Sequence, residues 1–411
     1  MKWLFGVILC TFTYTVSLAQ DHTLDHYLEL AKNNSPLLKD LRNQVASNQL
    51  DSMRLKAGFK PQVNATSGGL YAPTINGYGY SAAITNEHTL NGLVAVNQQI
   101  IGKNNVQSQI QGILLQSQTI LNTEKISEQD LKKAVTTQYI TAYGDLQQVK
   151  FSREVVDLLS KEEDALKKLT RANVYHQSDY LTFLVTLKQQ ELQLAQARLQ
   201  YKNDYAILNY LVGIADTSTV ELAEPVLQSA VHTDINSSIF YAQFKVDSLK
   251  LVNNKQQIDF SYKPKANIFA DGGYNSDFMG QAYKNFGVSA GFGLSIPIYD
   301  GGQRKMQYRK LTLEEETRQN YKAFFNTQYQ QQIAQLNQQI SENDKLMPQI
   351  MDQIKYSESL IKVDTQLLET GDVKIADLIL AINNYLTVRN LKTQTIISKL
   401  QLINQLNYWN R

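Results

Sequence analysis

The residue types most able to do chemistry are few in this chain, and their spacing does not assemble a reaction centre. His22, Asp25 and His26 put two imidazoles at i and i+4 on one face of an expected helix, a spacing that can hold a metal ion. No further ligand stands near them, so no metal site is expected. His88, His176 and His232 stand alone in expected loops. Glu162-Glu163-Asp164 and Glu314-Glu315-Glu316 are carboxylate runs inside long helical patterns, where they read as solvated helix faces. Paired catalytic carboxylates would need a pocket, and no segment suggests one. Glycines near 68–69, 272–273 and 291–302 are not followed by Gly-Lys-Ser/Thr, so they form no phosphate loop. Asp179 and Asp377 each open an expected helix, where free N–H groups and the helix dipole favour a carboxylate. No enzyme and no cofactor are expected.

Composition narrows the class further. Lys plus Arg number 40 and Asp plus Glu 38 among 411 residues, so there is no basic footprint for nucleic acid and no acidic tail. Apolar residues make up 43% and charged residues 19%; Gln, Asn, Ser and Thr fill the gap. The 7 prolines leave room for long uninterrupted helices. After the first 20 residues no apolar run approaches the ~20 residues of a membrane-spanning helix. A β-barrel is not excluded, because its strands hide their apolar character in alternation.

The N-terminus reads as a targeting segment. Lys2 is its positive start, Trp3 to Val16 its apolar stretch, and Ser17-Leu18-Ala19 a small-x-small cleavage site. Residues 1–19 are expected to be removed as a signal peptide. Cys10, the only cysteine, lies inside this segment as an apolar core residue rather than a lipidation site. The mature chain then has no disulfide, thiolate ligand or thiol nucleophile.

The elements follow from periodicity. A first structural repeat, 20–213, reads as a helix over 24–57, strands at about 62–72 and 88–101, a long helix to about Arg171 and a return helix. Pro36 marks a break or a new helix start, and Lys60-Pro61 ends the helix. A linker, 214–233, contains Pro225. A second repeat, 234–411, reads as a helix, strands at about 265–275 and 286–299, a helix to about Thr370 and a last helix from about Ile375. Pro61 and Pro264 lie 203 positions apart; Asp179-Tyr180-Leu181 and Asp377-Leu378-Ile379 lie 198 apart. One five-residue difference within the strand-loop-strand region reconciles the offsets, and an internal repeat of this length is an architectural signal.

The strand at 286–299 is the most informative segment. Phe286, Val288, Ala290, Phe292, Leu294, Ile296 and Ile298 fall on one side, and Gly287, Ser289, Gly291, Gly293 and Ser295 on the other. A soluble sandwich would carry charge on its outer side. Here the bulky side suits lipid and the small side a watery lumen. Tyr71, Tyr78, Tyr80, Tyr274, Phe278, Tyr283 and Tyr299 near strand ends suit interfacial girdles. Four strands cannot close a barrel, and open edges are not tolerated in lipid, so several chains must share one. Three chains would supply 12 strands, enough for a polar bore. The other reading is a soluble periplasmic coiled-coil scaffold or pump adaptor.

Two β-hairpins in tandem, each followed by a helix of nearly 70 residues and a shorter return helix, resemble the TolC family of outer-membrane channel proteins. The stretch Leu294-Ser-Ile-Pro-Ile-Tyr-Asp-Gly-Gly302, which carries Pro297, Asp300, Gly301 and Gly302, is similar to that family's strand-to-helix junction. Gly371-Asp-Val-Lys-Ile-Ala-Asp-Leu378 resembles the helix turn at the family's closed periplasmic tip. The resemblance covers residues 21–411. It implies a mainly α protein with a membrane β-barrel part: a homotrimer with a 12-stranded β-barrel in the outer membrane and an α-helical barrel in the periplasm. It implies an exit duct without a catalytic site, docked to a periplasmic adaptor protein and an inner-membrane pump. Asp377 matches the family's pore-constricting acid, and Leu380 stands where some members have a second one. Val373 and Leu368 replace an Arg and a Tyr that lock the tip in such members, so other contacts are expected to hold it. Asp179, preceded by Ser178, matches a linking acid of the first tip, where Asn173 replaces the turn glycine but tolerates a left-handed backbone.

Overall fold

The computed structural model describes residues 22–81, 88–216, 218–230, 234–276 and 283–410. The expected leader with Cys10, and also His232 and Phe278, lie outside them. Helix α1 (Leu24–Asn34) is capped by Thr23, whose hydroxyl accepts the His26 N–H at 3.4 Å. Ser35 leaves the helical region ahead of Pro36, which opens α2 (Pro36–Gly58) at the position where its missing N–H costs nothing. Strands β1 (Gln62–Tyr71) and β2 (His88–Ile100) follow, then α3 (Lys103–Arg171) and α4 (Gln177–Val212). A 3₁₀ turn at Ile235–Ser237 leads into α5 (Ile239–Ser261), β3 (Lys265–Ser276), β4 (Phe286–Ser295), α6 (Gln303–Thr370) and α7 (Ile375–Trp409).

The expected order of elements is present, with one boundary displaced. β4 stops at Ser295 instead of running to 299. Pro297 lacks the N–H that a ladder requires, and its ring disfavours a regular neighbour. Pro348 does not interrupt α6. A proline inside a helix removes the hydrogen bond to the carbonyl four residues back, and that residue, Asp344, is tied at its side chain to Lys399 of α7 at 2.5 Å.

The chain folds as two compact units that cut across the repeats. One comprises Met1–Ser35, Gln129–Val231 and Gln332–Asn410; the other comprises Pro36–Glu128 and His232–Gln331, with Arg411. In the first unit, Leu24, Tyr27 and Ala31 place a buried stripe of α1 against Val135, Tyr139 and Leu146 of α3 and Tyr201, Tyr205 and Leu208 of α4. Tyr27 and Tyr205 join hydroxyls at 3.0 Å. The Tyr139 hydroxyl lies 2.8 Å from the His22 carbonyl and 2.7 Å from that of Ala223, and shares one proton between them. A second core joins Leu159 and Leu166 of α3, Phe183 and Leu187 of α4, Ile361 and Leu368 of α6, and Ile375, Leu378 and Ile382 of α7.

In the second unit the four strands form one antiparallel sheet in the order β1-β2-β3-β4. The β2–β3 pairing joins the two hairpins. Beside the sheet elements, α5 is tied to α3 through Ser108, whose hydroxyl donates to Asn253 Oδ1 at 3.1 Å, and to α6 through Arg318, which donates to the Phe244 carbonyl at 3.2 Å. Arg318 also forks onto Glu315 at 2.6 and 2.7 Å, which with Gln319 holds that carboxyl down at about 2. The run Glu314-Glu315-Glu316 is thus an ion-paired helix surface.

A carboxyl pair sits between α3 and α4. Asp204, 8% exposed, accepts from Gln138 at 3.1 Å and Gln200 at 2.5 Å. Asp145 Oδ2 is buried without a donor. Burial, then the adjoining Asp204, pushes Asp145 up to about 7, so it carries a proton that it shares with Asp204. Burial works against Asp204, but the bonds from Asp145, Gln138 and Gln200 outweigh it and hold its pKa low. A native pKa above the unfolded value stabilises below the unfolded pKa and is lost as pH rises through the native one. Asp145→Asn is therefore expected to flatten the fall in melting temperature between about pH 4 and pH 7 in detergent. The wild-type loss from this group over that window is on the order of 2 kcal/mol after allowance for solvent screening.

Candidate functional site

The sheet has two chemically distinct faces, fixed by register. Phe286, Val288, Phe292 and Leu294 of β4 lie opposite Tyr274, Gly272, Ile268 and Ala266 of β3. The same face continues through Val94, Val96 and Ile100 of β2 and Val63 and Ala65 of β1. These side chains are exposed although apolar: Val288 is 91% and Phe292 83% exposed. The opposite face is mainly polar: it carries Gln62, Asn64, Thr66, Asn97, Gln99, Asn267, Asp271 and Ser289, with Leu70, Leu93 and Phe269 among them, and Ser289 donates to Asp271 at 2.6 Å. Among the described residues β1 pairs only with β2, and β4 only with β3, so both outer strands keep a row of backbone groups unpaired within the chain. One apolar and one polar face, with open edges, is a sheet built to meet lipid on one side and water on the other.

The junction after β4 follows from its sequence. Asp300 accepts the N–H of Gly302 at 2.9 Å and of Arg304 at 2.7 Å, and so caps α6. The Arg304 N–H first, with Gly302 and Tyr262 also contributing, holds the Asp300 carboxyl below its ordinary value. Gly301 and Gly302 both take positive φ, 65° and 81°, which side chains rarely adopt; this is the physical requirement behind the expected Pro297–Gly302 motif. Arg304 also bonds Asp259 of α5 at 2.7 Å.

The two helix turns lie in the first unit and pack on each other. Asn173 (φ 59°) and Gly371 (φ 81°) are the left-handed residues that end α3 and α6. Val174 N–H bonds the Leu169 carbonyl and Asp372 N–H that of Leu367, each at 3.0 Å, so the repeats close their long helices alike. A methyl group on Gly371 would stand 2.8 Å from Val174 Cγ1. Tyr175 joins the turns: its hydroxyl lies 3.2 Å from the Leu368 carbonyl and 3.0 Å from that of Val373. Leu368 and Val373, at which contacts other than an Arg and a Tyr were expected to hold the turn, take part through their backbones. Burial first, then Asp372 and Asp179, raises the Tyr175 phenol, so it remains a donor.

The expected acids are placed differently from one another. Asp179 sits in the first turn of α4, where its carboxylate accepts the His176 N–H at 3.3 Å, so it serves its own helix start. Ser178 lies beside it and accepts, through its carbonyl, from Thr182 at 2.9 Å. Asp377 is in the first turn of α7 and exposed. Glu163 accepts from Tyr180 at 2.9 Å, and Glu162 is raised by burial and then by Glu369. Among the described residues no group of three side chains could hold a metal ion, and no helix is long and apolar enough to cross a membrane. Tyr175 was not singled out from sequence. A tyrosine inside a turn of five residues was the available signal.

Two substitutions test the paired turns. Gly371→Ala should destabilise the protein by about 1–2 kcal/mol from backbone strain and crowding of Val174, with Val174→Ala relieving the crowding part, read by thermal unfolding. Tyr175→Phe should speed amide hydrogen exchange at 371–376 about fivefold through the lost bond.

No known family profile matches the sequence, and no curated protein matches it. Solved structures do. A membrane protein from Pseudomonas aeruginosa superposes with a TM-score of 0.78 at 13% identity over 94% of this chain and 89% of that one. The outer membrane protein VceC from Vibrio cholerae matches at 0.75 and 11% over 94% and 96%. The open-state MtrE outer membrane channel of Neisseria gonorrhoeae matches at 0.74 and 12% over 94% and 88%. At such identities the likeness establishes architecture: the chain has the fold of the TolC-like outer-membrane channels.

Proposed function

We propose that the chain is an outer-membrane exit duct of a tripartite efflux pump or type I secretion system, conducting substrates passively from the periplasm to the exterior. The observation that carries this reading is the exposed, two-faced sheet with unpaired outer strands, found in a chain with the fold of outer-membrane channels. In this reading three copies close a 12-stranded barrel in the outer membrane, and the helices line a periplasmic tunnel without a catalytic site. Exposed apolar residues support the homotrimer: Val185, Leu192 and Leu199 recur every seventh position on α4, and Leu360 and Leu367 stand seven apart on α6 with Val363 between them. Such stripes, left uncovered in one chain, suit burial against further copies. A periplasmic adaptor and an inner-membrane pump supply the energy and the substrate.

The paired turns serve as the gate, with Tyr175 holding one turn to the other and Asp377 lining the constriction. A carboxylate from each of three chains in a narrow watery pore attracts cations and repels anions. The protein should fractionate with the outer membrane and require detergent for release. Recovery in a salt wash would contradict a duct and favour a soluble scaffold. In planar bilayers Asp377→Asn should weaken cation preference, and an unchanged preference would remove Asp377 from the constriction.

A further inference from the structure

We infer that the cleft where β2 runs into α3 and α5 into β3 holds the headgroup of an anionic phospholipid at the watery edge of the membrane. The inference rests on the reading of the sheet as membrane-embedded. The cleft has a volume of about 440 Å³, and its lining includes Ile100, Lys103, Phe260, Lys263, Pro264 and Lys265. Ile100 ends β2 and is the last residue of the exposed apolar face on that strand, so the cleft begins where that face stops. All three lysines are exposed, and Lys263 lies 4.6 Å from the centre of the Phe260 ring. Among the described residues no carboxylate pairs with Lys103, Lys263 or Lys265. The acids at this end of the sheet are already engaged. Arg304 and Tyr308 hold Asp259, the former at 2.7 Å, and the N–H groups of Gly302 and Arg304 hold Asp300.

Charge placement along the sheet agrees with this. Within the bounds of the four strands the only full charges are Lys265 and Asp271, and Asp271 is bonded by Ser289 on the polar face. The other lysines stand just outside the strands at their helix-side end, and the repeat reproduces the arrangement: Lys60-Pro61 leads into β1 as Lys263-Pro264 leads into β3. Pro264 fixes the backbone between Lys263 and Lys265 and so holds their spacing. A lysine with its stem on apolar surface and its ammonium in water suits the boundary between hydrocarbon and headgroups. Basic pockets at that depth bind anionic headgroups. A soluble anion would use the lysines but not the apolar wall of Ile100, Phe260 and Pro264. A lipid uses both: its phosphate meets the ammonium groups, and its chains continue along Ile100 and the apolar face beyond.

The test is lipid retention. The full protein is reconstituted into vesicles of equal phosphatidylglycerol and phosphatidylcholine and extracted in mild detergent, and the lipids left on it are counted by mass spectrometry. Wild type should retain phosphatidylglycerol over phosphatidylcholine on the order of tenfold, as two lysines at one headgroup imply. Lys103→Gln combined with Lys263→Gln should bring that ratio down to about one, because the attraction is electrostatic. Lys103→Arg combined with Lys263→Arg should keep it. Lys284→Gln, ahead of β4 at the other end of the sheet, should leave it unchanged. Inorganic phosphate added at constant ionic strength should not displace the phosphatidylglycerol. A wild-type ratio in the double glutamine variant, an equal loss in Lys284→Gln, or displacement by phosphate would overturn the inference. Failure of the underlying reading is separate: wild type would then not float with the vesicles at all, and the lipid site would fall with it.

Discussion

Backbone hydrogen bonding at the two outer strands is the constraint on which the rest depends. Every N–H and C=O in lipid must find a partner, and each one left open costs several kcal/mol. β1 and β4 pair on one side only among the described residues, while the apolar face they share with β2 and β3 is exposed. A single chain with this sheet is incomplete as a membrane object. In the proposed assembly, closure with further copies would satisfy both edges, cover the apolar face with lipid and leave the Asn, Gln and Ser side chains facing a common interior. The low apolar content then has a physical reading: in a hollow assembly, helix surfaces on both sides meet water.

The helical part answers a different requirement. The α3–α4 and α6–α7 hairpins end in left-handed turns with the same bonding pattern, and packing of one turn on the other is secured by a single hydroxyl. A lock made of one shared proton and one close approach, Val174 over Gly371, is cheap to open compared with the apolar core of Leu159, Leu166, Phe183 and Leu378 just behind it. That gradient, weak at the turns and strong behind them, fits the proposed gate. The Asp145–Asp204 pair and the Tyr27–Tyr139–Tyr205 group instead keep α1, α3 and α4 in fixed register away from the turns.

Local rules made much of this legible in the sequence. Pro36 starts a helix, Gly301-Gly302 turns a strand into a helix, and Asn173 takes a left-handed backbone, because each is a matter of φ and of one missing or satisfied N–H. Alternation at 286–294 disclosed the lipid-type face. The rest depends on contacts between distant residues, which no periodicity encodes. Tyr175 reaches Leu368 and Val373 across almost two hundred positions. The alternation also ran on past Ser295, where Pro297 ended the ladder for a reason that hydrophobicity does not register.

Native mass spectrometry of the protein released from detergent micelles tests the central claim most directly. Closure of the open-edged sheet by further copies predicts a folded particle of three chains that survives removal of detergent. A folded single chain, or a stable pair, would leave the outer strands unpaired or the bore too narrow, and would contradict the account.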